Sequence, residues 1–151
     1  GRIVDAGITD SNNMGAAMAP AACDTLAAHF SDTGRAPSYY DAVITGDLGL
    51  LGRDIVRELM GMQGFDLGPA YTDCGVLIYD AAAQDAKAGG SGCGCSAAVL
   101  SGYVLGGMRA GRWKRVLFAP TGALLSPTSS FQGESIPGIC HAVVISSKKE
   151  N

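Results

Sequence analysis

The sequence predicts an α/β fold with a largely parallel sheet. Three observations carry this. Short runs rich in β-branched residues alternate with helical stretches, the order that builds βαβ units. The chain holds 22 glycines in 151 residues without a three-residue period, which excludes a collagen repeat and suits closely packed elements with glycine-rich turns. Apolar residues make up 47% and charged residues 17%, too apolar and too weakly charged for a disordered or solvating chain.

The elements follow in order. Gly1-Arg2-Ile3-Val4-Asp5 reads as extended chain. It has no initiator Met and no signal-type apolar stretch, and it reads as a piece of a longer protein cut near the start of a structural unit. Thr9 to Asn13 is a polar loop and Met14 to Ala19 is small and apolar. Pro20 suits a first helical turn, where its missing N–H has no partner, so a helix is expected from Pro20 to Phe30 with Ala22, Leu26 and Phe30 on one face. Gly34 to Ser38 is a turn, and Tyr40 to Thr45 is a β-rich run ended by Gly46. Ile55, Val56, Leu59 and Met60 form an apolar stripe on a second helix from Gly52 to Met62.

After a Gly/Pro loop through Pro69, Val76 to Tyr79 reads as a strand. Asp80 to Lys87 has alanines that favour helix but no apolar face. The run Gly89-Gly90-Ser91-Gly92-Cys93-Gly94-Cys95 opens a long helix to Ala110, packed through Val99, Leu100, Tyr103, Val104 and Met108. Val116 to Ala119 is a strand, Thr121 to Gly133 a long Ser/Thr/Pro loop, and Gly138 to Ser146 a final strand. Loops of that length are often functional.

The length suits one domain, residues 1–151. A net charge of −3 and a pI near 5.2 argue against a nucleic-acid partner, which calls for a basic footprint. No apolar run reaches the ~20 residues needed to span a bilayer. The five cysteines are odd in number and suit a reduced compartment better than a disulfide scaffold. Cys93 and Cys95 are separated by one residue, against two to four in common zinc sites. Cys140-His141 could join them in space, but small buried hydrophobes are the simpler reading, and no metal or cofactor is expected.

Several strings resemble a known superfamily. Met14-Gly15 followed by the Pro20-led helix, the strand Asp41 to Asp47, the Gly89 to Leu100 loop and helix, and the strand around Ala142-Val143-Val144 are similar to the C-terminal half of thiolases. Gly89 to Ala97, Arg115 to Phe118, Pro120 to Ser126 and Ser135 to Ile139 more closely resemble the stage V sporulation protein AD family within that superfamily. The chain departs from that family's pattern at Lys87 and Cys140, which makes both poor candidates for a shared role. The resemblance implies the C-terminal half of a thiolase-like fold. That half is a mixed five-stranded sheet in the order βαβαβαββ, with helices on both faces, and the N-terminal half is absent.

The resemblance also implies a function: binding dipicolinic acid, as the acid or its calcium salt, and taking part in its uptake into the developing spore. Implied partners are the N-terminal half of the same protein and the other proteins of the dipicolinate-transport complex. The implied place is the forespore or spore, peripheral to the inner membrane. Two other readings stand beside it: half of an acyl-transferring enzyme of the thiolase or ketoacyl-synthase type, and a structural subunit of a membrane transport complex.

A thiolase needs a motif His and a second Cys in this half. Laid on those motifs, Gly90 stands at the His, Ser91 at the following Pro and Glu134 near the Cys. Gly offers no side chain to an oxyanion, and Glu is a poor partner for a carbanion, so no catalysis is expected. His141 lies within the predicted last strand, and His29 late in a helix reads as a solvated cation. The candidate ligand site is Gly89, Gly90, Ser91, Gly92, Cys93 and Gly94, with Asp47 and His141. Backbone N–H groups of a glycine-rich loop before a helix suit a carboxylate, and Gly92 is expected to pack too closely for a Cβ. The competing reading is that the glycines only let a buried helix thread between layers, and that Asp47 only caps a helix. The resemblance also implies that the helix from Cys93 to Ala110 lies in a layer shared by the two halves; Gly102, Gly106 and Gly107, spaced for close backbone approach, fit a helix crowded on several sides, and self-association or a second chain completing the fold is expected.

Overall fold

The computed structural model describes residues 1–80, 82–86, 89 and 92–147. Among the described residues the strands are β1 (Ile3–Val4), β2 (Ala42–Thr45), β3 (Tyr71–Asp73), β4 (Arg115–Ala119), β5 (Thr121–Ala123), β6 (Gly138–Cys140) and β7 (Val143–Ser146). The helices are α1 (Met14–Thr33), α2 (Gly49–Met62), α3 (Cys74–Leu77), α4 (Cys95–Val99), α5 (Leu105–Arg109) and α6 (Pro127–Phe131). A π-helical turn over Leu100–Val104 joins α4 to α5, so one helical stretch runs from Cys95 to Arg109.

The four-stranded sheet has the order β3-β2-β4-β7. Its first three strands are parallel and β7 is antiparallel. A three-stranded sheet has the order β1-β6-β5. The expected five-stranded sheet is therefore observed as two sheets, and the cause is local. Phe118 faces Val143 and Thr121 faces Cys140, so pairing resumes in unbroken register past Pro120. At the gap the His141 N–H donates to the Pro120 carbonyl at 3.1 Å, and Pro120 has no N–H to return a bond.

Strand alternation sends side chains to two separate cores. Val43, Leu117 and Ala119 pack with Leu26 and Phe30 of α1 and with Val56 and Met60 of α2. Ala42, Ile44, Val116 and Phe118 pack with Val99, Val104 and Met108 of the Cys95–Arg109 stretch. Period-two geometry requires this when both faces are covered.

The single strand expected over Gly138 to Ser146 is observed as β6 and β7, the second helix starts at Gly49 rather than Gly52, and three other expected elements change. The first helix starts at Met14, not Pro20, because the Asn13 side chain accepts the Ala16 N–H and caps it there. Pro20 is then inside the helix and offers no N–H to the carbonyl of the preceding turn. The strand expected at Val76 to Tyr79 lies instead at Tyr71–Asp73, and α3 begins at Cys74 because Asp73 accepts the Gly75 N–H. The long loop after Thr121 contains β5 and α6, the latter closed by a reciprocal cap between Ser126 and Ser129.

Two close approaches set the layer spacing. Gly138 of β6 lies against α1, where a Cβ would stand 2.9 Å from the Ala17 carbonyl oxygen. The Thr25 hydroxyl of α1 also donates to the Cys140 carbonyl at 2.9 Å.

Candidate functional site

β2 ends at Thr45, and the chain then turns through Gly46, Asp47 and Leu48 into α2. Gly46 can carry no Cβ, which would collide with the Ser96 side chain and stand 2.9 Å from Pro120 Cα. This brings the end of β2, the end of β4 and the start of α4 to one point. Asp47 is held at φ 56°, a left-handed conformation that only Gly, Asn and Asp adopt readily.

The turn is fastened by Asp73, which is fully buried. Its carboxylate accepts the Leu48 N–H at 3.0 Å, the Gly49 N–H at 3.0 Å, the Gly75 N–H at 2.8 Å and the Thr45 hydroxyl at 2.8 Å. It thus caps α2 from a neighbouring strand, which explains why Leu48 at the helix start has no capping side chain. Burial pushes the Asp73 pKa up, while the four donated bonds pull it down. Thr45 also lies 3.2 Å from the buried Tyr71 hydroxyl.

A cavity of about 620 Å³ opens beside this turn. It is lined by Asn12, Met14, Gly15 and Met18 from the α1 side, by Asp47 and Leu48, by Gly89, Gly92 and Cys93, by Ser96, and by Thr121 to Ala123. The volume lies within the usual range for a small-molecule site. Its place is the carboxyl ends of parallel strands β2 and β4, where α/β sheets bind ligands.

Of the expected site residues, Asp47, Gly89, Gly92 and Cys93 come together here. Gly90 and Ser91 lie outside the described residues, as does Lys87. Gly94 is exposed and not part of the lining. His141 is also exposed and outside the lining, at the gap between β6 and β7. The Cys95 N–H is bonded to the Gly92 carbonyl at 3.0 Å, so the first amide of the helix is not offered to an anion. Gly92 does not pack closely, since nothing lies within 4 Å of an added Cβ; its φ of +82° is what calls for glycine. Gly89 needs glycine on both counts, with φ +81° and a Cβ position 2.6 Å from the Gly75 carbonyl oxygen.

His29 is no solvated cation. Its Nε2 lies 2.6 Å from the Tyr40 hydroxyl, and burial, with Arg35 nearby, lowers its pKa. Burial pushes the Cys23 and Cys140 thiols up to about 12, and Cys74 also upward, so these three stay protonated and poorly nucleophilic. Cys93 is exposed while Cys95 is buried, so the pair does not face a common centre.

Asp73, Ser96 and Thr121 were not singled out by sequence reasoning. Asp73 had one legible signal, a carboxylate at the end of Tyr71-Thr72-Asp73 just before Cys74-Gly75. Ser96 and Thr121 had none, because only the Gly46 approach brings them to the cavity.

These features define a mixed α/β protein with a ligand-sized cavity at the carboxyl edge of its parallel strands. The family model described as Stage V sporulation protein AD matches residues 1–146. The chain belongs to the stage V sporulation protein AD family. It is 47% identical over 144 residues to the Stage V sporulation protein AD of Bacillus subtilis (strain 168), covering 95% of this chain and 42% of that relative. The chain thus spans less than half the length of the curated relative it matches. Membership supports a role in sporulation, and a spore-related location fits it. Among the described residues, no helix is long and apolar enough to cross a membrane.

Proposed function

We propose that the chain is a non-catalytic, thiolase-like part of a sporulation protein that binds dipicolinic acid and takes part in its uptake into the developing spore. The observation that carries this reading is the cavity joining Asp47 to the Gly89, Gly92 and Cys93 loop. Family membership supplies the biological setting. Dipicolinate is a small, flat, polar ligand, and it suits a site of this volume at a strand edge. Its partners in this reading are the remainder of the longer protein and the other proteins of the transport complex, which hold it at the inner forespore membrane.

The non-catalytic part rests on the lining. Neither His29 nor His141 is among the residues that form the cavity wall, so neither imidazole is placed there for proton transfer. Calorimetric titration of dipicolinate into the chain tests the binding, with isophthalate, which lacks the ring nitrogen, as the control. Saturable one-to-one binding of dipicolinate, weaker for isophthalate, is the expected result. No heat at millimolar dipicolinate overturns the reading. Turnover of acetoacetyl-CoA by the chain overturns the non-catalytic part and favours the acyl-transferring alternative.

A further inference from the structure

We propose that the Thr121 hydroxyl is a specificity-determining contact of the cavity, hydrogen-bonding a carboxylate of the bound ligand. The inference rests on the dipicolinate reading above and assigns it a particular donor.

Buried side-chain hydroxyls almost always have a partner, and each exception calls for an explanation. Thr121 Oγ1 is buried, and no hydrogen bond from the described residues satisfies it. Its backbone is well used: Thr121 pairs with Cys140 in the β5–β6 ladder and follows Pro120, where the two sheets meet. Strand geometry does not require the hydroxyl. Valine has the same shape, suits a strand at least as well and carries no polar atom to leave unsatisfied.

The residue lines the cavity beside the Gly46–Asp47 turn, where its backbone N would lie 2.9 Å from a Cβ on Gly46. Thr121 is a lining residue, and a rotation of about 120° about χ1, between staggered wells, would exchange the hydroxyl with the other substituents of Cβ. The charge of the described lining favours such a donor. The lining includes the carboxylate of Asp47 and no Lys or Arg among the described residues. Among the described lining residues, the donors open to an anionic ligand are neutral. Ser96, the other hydroxyl of the described lining, has the Cys74 thiol beside it as a partner. Among the described lining residues, Thr121 carries the hydroxyl left to be satisfied by a ligand.

The test pairs binding with stability in the unsubstituted chain, Thr121→Val and Thr121→Ser. We expect Thr121→Val to weaken dipicolinate binding about tenfold, the loss typical of a hydrogen bond to a charged group, and its melting temperature without ligand to be equal or higher. Thr121→Ser, which keeps the oxygen, should bind within about threefold of the unsubstituted chain. Unchanged affinity in Thr121→Val, while the unsubstituted chain binds, removes this contact and leaves the dipicolinate reading standing. A lower melting temperature in Thr121→Val with equal loss of affinity in Thr121→Ser makes the role structural and also overturns it. Failure of the unsubstituted chain to bind overturns the reading and the contact together.

Discussion

Gly15 of α1 and Gly52 of α2 meet backbone to backbone: a Cβ on Gly52 would stand 2.8 Å from the Gly15 Cα, and one on Gly15 would stand 3.1 Å from the Gly52 Cα. This crossing lets the two helices cover one face of the sheet together. It also places Gly15 in the cavity wall beside Asp47. Gly52→Ala should cost about 1–3 kcal/mol, since backbone must move to admit the methyl. Gly61→Ala, in the same helix with open space around it, should add up to about 0.5–1 kcal/mol. Urea unfolding of the two variants checks this. Equal effects would mean that the helices do not cross at the glycines.

The glycine-rich loop predicts an order of tolerance. Gly89→Ala should destabilise most, because it combines positive φ with a clash at the Gly75 carbonyl. Gly92→Ala should cost about 1 kcal/mol, the penalty of left-handed backbone alone. Gly94→Ala, at φ −83° with open space, should be neutral or slightly stabilising. Thermal melts of the three would rank them, and a Gly94 variant as damaged as the Gly89 one would contradict the loop geometry.

Asp73 should matter more than its small size suggests. Asp73→Ala leaves the amides of Leu48, Gly49 and Gly75 without their acceptor, each at about 1–3 kcal/mol where water cannot replace it. A total loss of about 3 kcal/mol or more is expected, with Asp73→Asn intermediate because it keeps one acceptor oxygen. Ligand affinity should fall as well, since the turn carrying Asp47 loses its fastening. Denaturant unfolding and dipicolinate titration on both variants test the two parts separately.

His29 gives the protein a pH dependence whose sign is determined. Its folded pKa lies below its unfolded one, so the unfolded chain takes up the proton first as pH falls. The stability it contributes is complete above the unfolded value of about 6.5 and is lost as pH drops through the folded value. Melting temperature should therefore fall from pH 7.5 toward pH 5, and His29→Gln should flatten that slope. A slope unchanged in the variant would assign the effect to other groups.

The Cys95–Arg109 stretch predicts association. Ala97, Ala98, Ser101 and Gly102 are exposed, and a Cβ on Gly102 or Gly106 would meet nothing within 4 Å. Only Gly107 is in close contact, with the Trp113 ring at 2.8 Å from its Cβ position. We expect the chain to self-associate or to bind a second chain that completes the fold through this face. Light scattering at micromolar concentration should show a species above monomer mass. A soluble monomer that binds no hydrophobic dye would count against it.

Periodicity and punctuation in the sequence were enough for the α/β class, for β2 and β4, and for the apolar stripe of α2, because each of these is a local property of a few residues. The same local signals placed Asp47 after a strand and the glycine-rich loop before a helix. They misplaced the start of α1, since Asn13 outcompetes Pro20 as a boundary only through a side-chain bond to the Ala16 amide. They also misplaced β3, since Tyr71–Asp73 becomes a strand by pairing alongside β2 and ends when Asp73 turns to cap two helices. The close approaches at Gly46, Gly52 and Gly138 lie between residues far apart in the chain, and no spacing rule reports them. The cavity, with Thr121 and Ser96 in its wall, exists only because those approaches pull three chain segments to one point. That is a consequence of tertiary packing, in which the absence of a Cβ at one position determines which distant side chain comes near.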